Sequence, residues 1–361
     1  MKKYFTRFAV VSFIITAIAL LIYGVAVASV EFADLVNSTV AVAVRFLLSC
    51  ITYLLPFSLF ELLVMLSPLI FVTVIVIAVH RSDGITSMVR GALSFVAVIS
   101  LILTSYVFTL GVGYRTSSLS DRTGIAEDTD LTADELYSTI RIVIDEVNRL
   151  ADGLYLTDSQ TDMPYSADEM SEKLIHAYDL MNEKYALVTN YRSRVKPVYF
   201  STVMSDLGIS GIYSFFTGEA NVNVEYPDYC LPFTAAHELA HQRGICRENE
   251  ANFVAFLVCV SSDDEYIRYS GYLNMYEYLA SALYRTDPDR YYEAYRTLSQ
   301  TAVADMRAAN EVYQKHKDST LGKINERLND AYLKANGTEG TVSYGYVVRL
   351  AVGYYQNQNN R

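Results

Sequence analysis

The hydrophobic and polar positions divide this chain into an apolar front and a longer polar remainder. Three apolar runs are each long enough to span a bilayer as a helix. These runs lie at about residues 8–30, 57–79 and 91–113. A shorter apolar stretch at 40–55 is interrupted by Arg45, and we expect it to lie at the membrane interface. The pattern predicts a membrane domain at 1–113 and a separate polar domain at 114–361.

The polar remainder carries helical patterns for most of its length. Two segments, 132–150 and 166–183, show helical periodicity behind residues with capping-box spacing. Two others, 198–204 and 220–225, are rich in residues that favour strands and are flanked by Gly and Pro. After residue 261 the pattern is helical again. We therefore expect a mainly α (α+β) fold with a small β-sheet.

The chemistry of the polar domain centres on one pentapeptide, His-Glu-Leu-Ala-His. His237 and His241 are four residues apart, so on a helix both imidazoles lie on one face and can point at one metal ion. Glu238 then stands beside the first ligand, where it can take a proton from a metal-bound water. Thr234 is the expected N-cap of this helix, and Gly244 its C-terminal stop.

A third metal ligand is expected shortly after this helix. Hydrolytic zinc sites use three protein ligands and keep one position open for water. Glu248 opens an apolar run that reads as a buried helix, and Asn252 follows one turn later on the same face. We predict Glu248 as the ligand, Asn252 as its support and Zn²⁺ as the cofactor. Glu250 is the competing choice.

These motifs resemble those of known families. Residues 215–259 are similar to the gluzincin metallopeptidases, and most of the chain resembles a bacterial membrane family catalogued as domain of unknown function 3810. The segments that carry this second resemblance are Thr217–Asn223, Pro232–Gly244, Glu248–Phe253, Tyr269–Leu273 and Asn336–Gly345. The resemblance implies a zinc-dependent peptidase. Asn252 stands where gluzincins commonly carry aspartate.

Residues outside the metal motif are candidates for substrate binding. In such peptidases the strand before the metal helix often pairs with an extended substrate. Asn221 and Asn223 alternate on the predicted strand and share one face, although an ordinary edge strand with outward polar residues explains them equally well. Tyr344, flanked by glycine in a family-like segment, is the candidate donor to the oxyanion of the transition state.

Charge predicts the orientation and excludes one class of partner. Basic residues flank the first two apolar runs on what we take as the cytoplasmic side. They are Lys2, Lys3, Arg7, Arg81 and Arg90. The polar domain is then extracytoplasmic, and its substrates are peptides or proteins near the membrane. Residues 1–113 hold six Lys/Arg and four Asp/Glu, so of the net charge of −11 the remainder carries −13. An acidic domain does not favour nucleic acid.

The remaining cysteines and histidines leave some questions open. Cys230 and Cys246 flank the His-Glu-Leu-Ala-His helix, and the sequence does not decide whether they form a disulfide. His80, His176 and His316 lie in loops or polar helices and are expected at the surface. Two other functions remain as alternatives to the peptidase: a zinc-binding membrane sensor that does not hydrolyse, and a metal-free scaffold that binds the cell envelope.

Overall fold

The computed structural model describes residues 4–80, 84–125, 127, 131–338 and 344–359. Its internal contacts separate the chain into two compact units. Unit 1 comprises Met1–Thr116 together with Ser214–Glu219, and unit 2 comprises Ser117–Tyr213 together with Ala220–Arg361. The division in the first part of the chain falls three residues beyond the predicted position.

Unit 1 is built from apolar helices. They are α1 (Arg7–Ala28), α2 (Val30–Val36), α3 (Val42–Tyr53), α4 (Leu59–His80) and α5 (Ile85–Tyr106). A π-helical turn at Asn37–Ala41 joins α2 to α3, and another at Val107–Gly111 continues α5. By length and composition, four stretches within the described residues are able to cross a membrane. They are Arg7–Ala28, Val30–Tyr53, Leu59–Ile77 and Ile85–Arg115.

The stretch expected to be a short interfacial segment at 40–55 has different bounds in the structure. It forms the second half of the longer helical stretch Val30–Tyr53, which the pattern did not predict. Arg45 and the flanking polar residues hid this continuity, because they divide the hydropathy pattern. Arg45 itself is fully buried, and its guanidinium donates to the Asn37 side chain at 2.9 Å and to the Phe108 carbonyl at 3.2 Å.

Helices α1 and α5 pack side by side and run in the same direction. At the start of α1, the Thr6 hydroxyl lies 3.3 Å from the hydroxyl of Ser94, which is near the middle of α5. Further along, the Thr16 and Thr104 hydroxyls lie 3.0 Å apart, and at the far end Arg115 donates to the Tyr23 hydroxyl. The contacts therefore advance together along both helices.

The segment 214–219 is an unpredicted part of unit 1. The hydroxyls of Ser105 and Thr109 both donate to the Phe215 carbonyl, at 2.7 and 3.0 Å. Glu219 is buried, and its two carboxylate oxygens accept the backbone N–H groups of Leu59 and Phe60 at 2.9 and 2.8 Å. This carboxylate accepts the N–H groups that have no partner within the helix at the start of α4. Its negative charge also interacts favourably with the positive end of the helix dipole.

Unit 2 is also mainly helical, which confirms the predicted fold class. Its helices are α6 (Leu119–Thr123), α7 (Ala133–Ala151), α8 (Ala167–Tyr185), α9 (Ser201–Asp206), α10 (Cys230–Gln242), α11 (Glu248–Ser261), α12 (Glu265–Thr286), α13 (Pro288–Tyr295), α14 (Gln300–His316), α15 (Thr320–Ala335) and α16 (Tyr344–Asn359). The capping box predicted for α7 is confirmed, and the helix start predicted at Ser166 and Glu169 is confirmed and also forms a capping box. Helix α11 is buried over 253–259 and packs against α8, α10, α12 and α16 at the centre of the core.

Two small sheets accompany these helices. One pairs β1 (Leu156–Thr157) with β2 (Gln160–Thr161), and the other has the order β3 (Val195–Val198), β5 (Glu219–Asn223), β4 (Gly211–Ser214). Strands β3 and β5 are parallel. The predicted strand at 198–204 is wrong beyond Val198, because the chain turns there into α9; the predicted strand at 220–225 corresponds to β5.

Candidate metal centre

Helix α10 carries both candidate histidines and begins earlier than predicted. It starts at Cys230, so Thr234 lies inside it and is not its N-cap. Pro232 fits in the first turn, where backbone N–H groups have no partner within the helix. Gly244 follows the helix with φ +91°, a conformation that favours glycine, as the predicted stop requires.

Helix α11 starts only a few residues later and returns across α10. Glu248 is its first residue, and its carboxylate lies against both histidines of α10. Its Oε2 is 3.3 Å from Nε2 of His237 and 3.6 Å from Nε2 of His241. The three ligand atoms all lie within 4.8 Å of one another.

These distances agree with the size of a tetrahedral site. Zinc lies about 2.0–2.1 Å from nitrogen and oxygen ligands, so two ligand atoms at tetrahedral corners are about 3.3 Å apart. The separations between Glu248 and each histidine are close to this value. The group could therefore hold a divalent metal ion with small side-chain movements.

The other ring nitrogens of the two histidines have different surroundings. Nδ1 of His241 lies 2.8 Å from the Ile245 carbonyl and donates to it, which leaves Nε2 with a free lone pair. Nδ1 of His237 is buried, and within the described residues it has no hydrogen-bond partner. Asn252 lies one turn after Glu248, is half-buried, and makes no side-chain hydrogen bond in the same part of the chain.

The electrostatics of the cluster favour positive charge at its centre. Burial opposes charge on His241, but the Glu248 carboxylate outweighs this effect and raises the pKa of His241 to about 9. Burial likewise opposes charge on Glu248, and the neighbouring imidazoles hold the pKa of Glu248 well below its usual range. A carboxylate that stabilises an imidazolium here would also attract a metal cation.

Glu250, the competing third ligand, has another role. Its side chain is buried and accepts the backbone N–H of Leu119 at 3.0 Å, and it pairs with Arg247 at 2.8 Å. The carboxylate therefore anchors the start of α6. Spacing alone could not separate it from Glu248, because both lie in the first turn of α11 and the direction of each is set by tertiary contacts.

Glu238 lies beside the histidines and is almost completely buried. Burial raises the pKa of its carboxyl, while the charges of His237 and His241 oppose that shift. The backbone N–H of Tyr213 donates to this carboxylate, and Gly211 lies directly against it. Neither Gly211 nor Tyr213 was predicted from the sequence, because a four-residue strand without alternation gives no periodic signal.

Asn221 and Asn223 do not lie where the substrate hypothesis placed them. Strand β5 is the middle strand of its sheet, so neither edge is open to an added strand. Both side chains are buried, and their amides donate inside the protein. Asn221 donates to the Ile212 carbonyl at 3.1 Å, and Asn223 to the Ile209 carbonyl at 3.0 Å. The prediction that a substrate pairs with β5 is therefore wrong. Asn221 and Asn223 instead hold the sheet together.

Other predicted residues fall outside the cluster. Tyr344 begins α16, and its side chain lies outside the described residues. Cys230 and Cys246 are not joined by a disulfide in the structure. Cys246 is buried and is not among the three grouped ligands.

Arg243 is a further residue that sequence analysis did not single out. Its guanidinium lies over the rings of Tyr178 and Tyr191, 4.4 and 5.1 Å from their centroids. It also donates to the Leu239 carbonyl of α10 and to the side chain of Asn190. These contacts fix the C-terminal end of the helix that carries both histidines.

Comparison with known proteins identifies a family for this chain. The family model described as "Protein of unknown function (DUF3810)" matches residues 36–352, which include most of unit 1 and the cluster of His237, His241 and Glu248. The chain belongs to this family. No curated protein and no solved structure matches it.

Proposed function

We propose that this member of the DUF3810 family is a membrane-anchored zinc metallopeptidase of the gluzincin type. The observation that carries the proposal is the convergence of His237, His241 and Glu248, with a carboxyl group beside them at Glu238. The alternatives explain this combination less well. A structural zinc site commonly has four protein ligands and no adjacent base, and a scaffold needs neither.

The donor set fits zinc. Two imidazoles and one carboxylate are the ligands of many catalytic zinc sites, and three protein ligands leave a position open. The buried, unpartnered Nδ1 of His237 also fits, because a metal-binding imidazole normally donates its other N–H to a partner. We propose Asn252 for that role when metal is bound, since it follows Glu248 by one turn of α11 and is half-buried; in the structure Nδ1 of His237 is not hydrogen-bonded to it.

In this proposal Glu238 is the general base of the hydrolysis, and His237, His241 and Glu248 hold the zinc. Bound zinc would polarise the scissile carbonyl and lower the pKa of a water molecule. Glu238 accepts the proton from the attacking water and gives it to the leaving amine. Burial keeps the pKa of Glu238 above its ordinary value of 4.5, which suits a group that must both accept and return a proton.

Strand β4 provides the edge along which an extended peptide would bind. It is an outer strand of its sheet, and one of its backbone N–H groups already points at Glu238. Backbone groups of successive residues point to alternate sides of a strand. Because the Ile212 carbonyl faces Asn221, the backbone groups of Gly211 and Tyr213 face the outer edge. A peptide paired there would pass Glu238.

We further propose that three helices cross the membrane and that unit 2 lies outside the cytoplasm. Since α1 and α5 run in the same direction, only an odd number of crossings can connect them. Helix α4 supplies one, and the stretch Val30–Tyr53 stays at the end of unit 1 near Phe108, to which Arg45 is hydrogen-bonded.

Thiol labelling in intact cells tests this orientation. The native cysteines are replaced by serine, and Asn329→Cys is introduced on the exposed face of α15. A membrane-impermeant thiol reagent should label this residue, and protection from the reagent would contradict the orientation.

The peptidase proposal is tested with the full chain loaded with zinc in detergent. We expect cleavage of a peptide mixture, followed by mass spectrometry, and a loss of about 10²–10⁴-fold in rate for Glu238→Gln with zinc content unchanged. Glu172→Gln is the matched control, because that carboxylate is mostly exposed. Bound zinc without cleavage of any peptide would favour the sensor, and a chain that binds no zinc would contradict both.

A further inference from the structure

A side chain at residue 211 would collide with its neighbours. A β-carbon on this residue would be 2.6 Å from Oε1 of Glu238, 2.8 Å from Cγ of Glu238 and 2.7 Å from Cγ2 of Thr234. Such distances are far inside van der Waals contact. Gly211 is not among the residues with positive φ, so its backbone conformation is open to any amino acid. The glycine is therefore required for space and not for conformation.

The space beside Gly211 is occupied by the carboxyl group of Glu238. This group is held from the same strand, because the backbone N–H of Tyr213 donates to it. Between these two residues, the Ile212 carbonyl accepts a hydrogen bond from Asn221, whose side chain is fully buried. Strand β4 is thus fixed to β5 at the point where it contacts Glu238.

We propose that Gly211 and the backbone N–H of Tyr213 form a seat that positions the general base. The seat holds the Glu238 carboxyl at one place beside the histidines, and a side chain at residue 211 would displace it. Gly211 is a positioning residue in this role, and Asn221 supports it by fixing β4. This inference rests on the proposed function, but the seat itself is a steric property of the chain without metal or substrate.

A double-mutant cycle tests the seat without reference to catalysis. Apparent melting temperatures are measured on the full chain in detergent with a chelator present. Gly211→Ala should lower the melting temperature by about 5 °C, since overpacking a buried site is destabilising. The same loss should appear in the Glu238→Gln background, because Gln keeps the volume of Glu. In the Glu238→Ala background the loss should be smaller, because the two contacts with residue 238 are removed and only the contact with Thr234 remains.

Equal losses in all three backgrounds would overturn the proposal, because the clash would not involve residue 238. No loss in any background would overturn it as well. The cycle remains informative if no peptide is cleaved, so failure of the seat and failure of the peptidase assignment can be distinguished.

Kinetics test the positioning role where cleavage is detected. Gly211→Ala should lower kcat by about 100-fold, since a displacement of about 1 Å at a reacting group has effects of this size. KM and zinc content should stay unchanged, because the metal ligands are untouched. Gly153→Ala is the matched control: its β-carbon would approach no atom closer than 3.8 Å. A Gly211→Ala variant with full kcat, or one whose activity falls only in proportion to its zinc, would contradict the role.

Discussion

Two clusters among the described residues of unit 2 bring histidine and carboxylate together, and they differ in whether their atoms converge as metal ligands would. In the first, His237, His241 and Glu248 direct one atom each toward a common point. In the second, His316 lies between two carboxylates. Its Nδ1 is 2.7 Å from Asp206, and its Nε2 is 3.1 Å from Glu225.

The difference lies in where the lone pairs are. Both ring nitrogens of His316 are used by acidic partners, so its imidazolium is satisfied and no atom is left for a cation. Burial opposes charge on Glu225, but Lys315 and His316 outweigh it and hold the pKa of Glu225 at about 2. In the first cluster two imidazole nitrogens and one carboxylate oxygen lie within 4.8 Å of one another, as the ligands of a single ion would. Residue type therefore does not identify a metal site; the convergence of the ligand atoms does.

The largest expected effect separates the two clusters by their zinc content. His241→Ala should reduce bound zinc from about one ion per chain to a small fraction, whereas His316→Ala should keep it. Excess zinc at about 100 times Kd stabilises a protein by about 2.7 kcal/mol, which is roughly 5–10 °C here. We expect this rise in wild type and His316→Ala, but not in His241→Ala. If His241→Ala and His316→Ala reduce zinc binding equally, the distinction between the two clusters is wrong.

A smaller effect should distinguish the two glutamates of α11. Glu248→Gln removes a charged ligand, so zinc affinity should fall strongly; the metal-free chain should also lose stability, because the carboxylate that stabilises the His241 imidazolium is gone. Glu250→Gln should retain zinc but destabilise the chain by about 1–3 kcal/mol, because it leaves Arg247 without its buried partner. Urea unfolding with a chelator present measures this change in the free energy of unfolding. Loss of zinc in Glu250→Gln alone would mean that the third ligand has been assigned wrongly.

The smallest effect is the pH dependence of the second cluster. The hydrogen bond to Asp206 raises the pKa of His316 above its ordinary value of 6.5, against the effect of burial. A raised pKa means that this stabilisation is complete below pH 6.5 and is lost as pH rises through the folded value. An ion pair of this kind contributes about 1 kcal/mol, so melting temperature should fall by roughly 2–4 °C more in wild type than in His316→Gln. If the melting temperatures of the two proteins change in parallel between pH 6 and 9, His316 does not have the stabilising role assigned to it.

These clusters also show how far the sequence predicts the structure. The sequence was sufficient to predict the motif around His237 and Glu238 and the ligand at the start of α11, because helical spacing fixes which residues share a face. The position of His316 was not: it was expected at the surface, but its side chain is only 7% exposed. Its partners, Asp206 and Glu225, are about ninety or more residues away in the chain, and no local pattern connects them.

The sheet shows the same limit. Residues 220–225 were recognised as strand-forming, but alternation of Asn221 and Asn223 could not reveal that β5 would be the middle strand. That depends on β4, which is too short to predict. The seat of Glu238 was hidden for the same reason, because a glycine needed for space has no local signature in the sequence. Tertiary contacts decide both.

X-ray absorption at the zinc edge of the purified, zinc-loaded full chain tests the central claim most directly. Three side chains of this site predict a first shell of nitrogen and oxygen at about 2.0–2.1 Å, with two imidazoles and no sulfur. The same shell should be absent from His241→Ala. A sulfur neighbour at about 2.3 Å, which would indicate a thiolate such as Cys246, or a wild-type chain without stoichiometric zinc, would contradict the account.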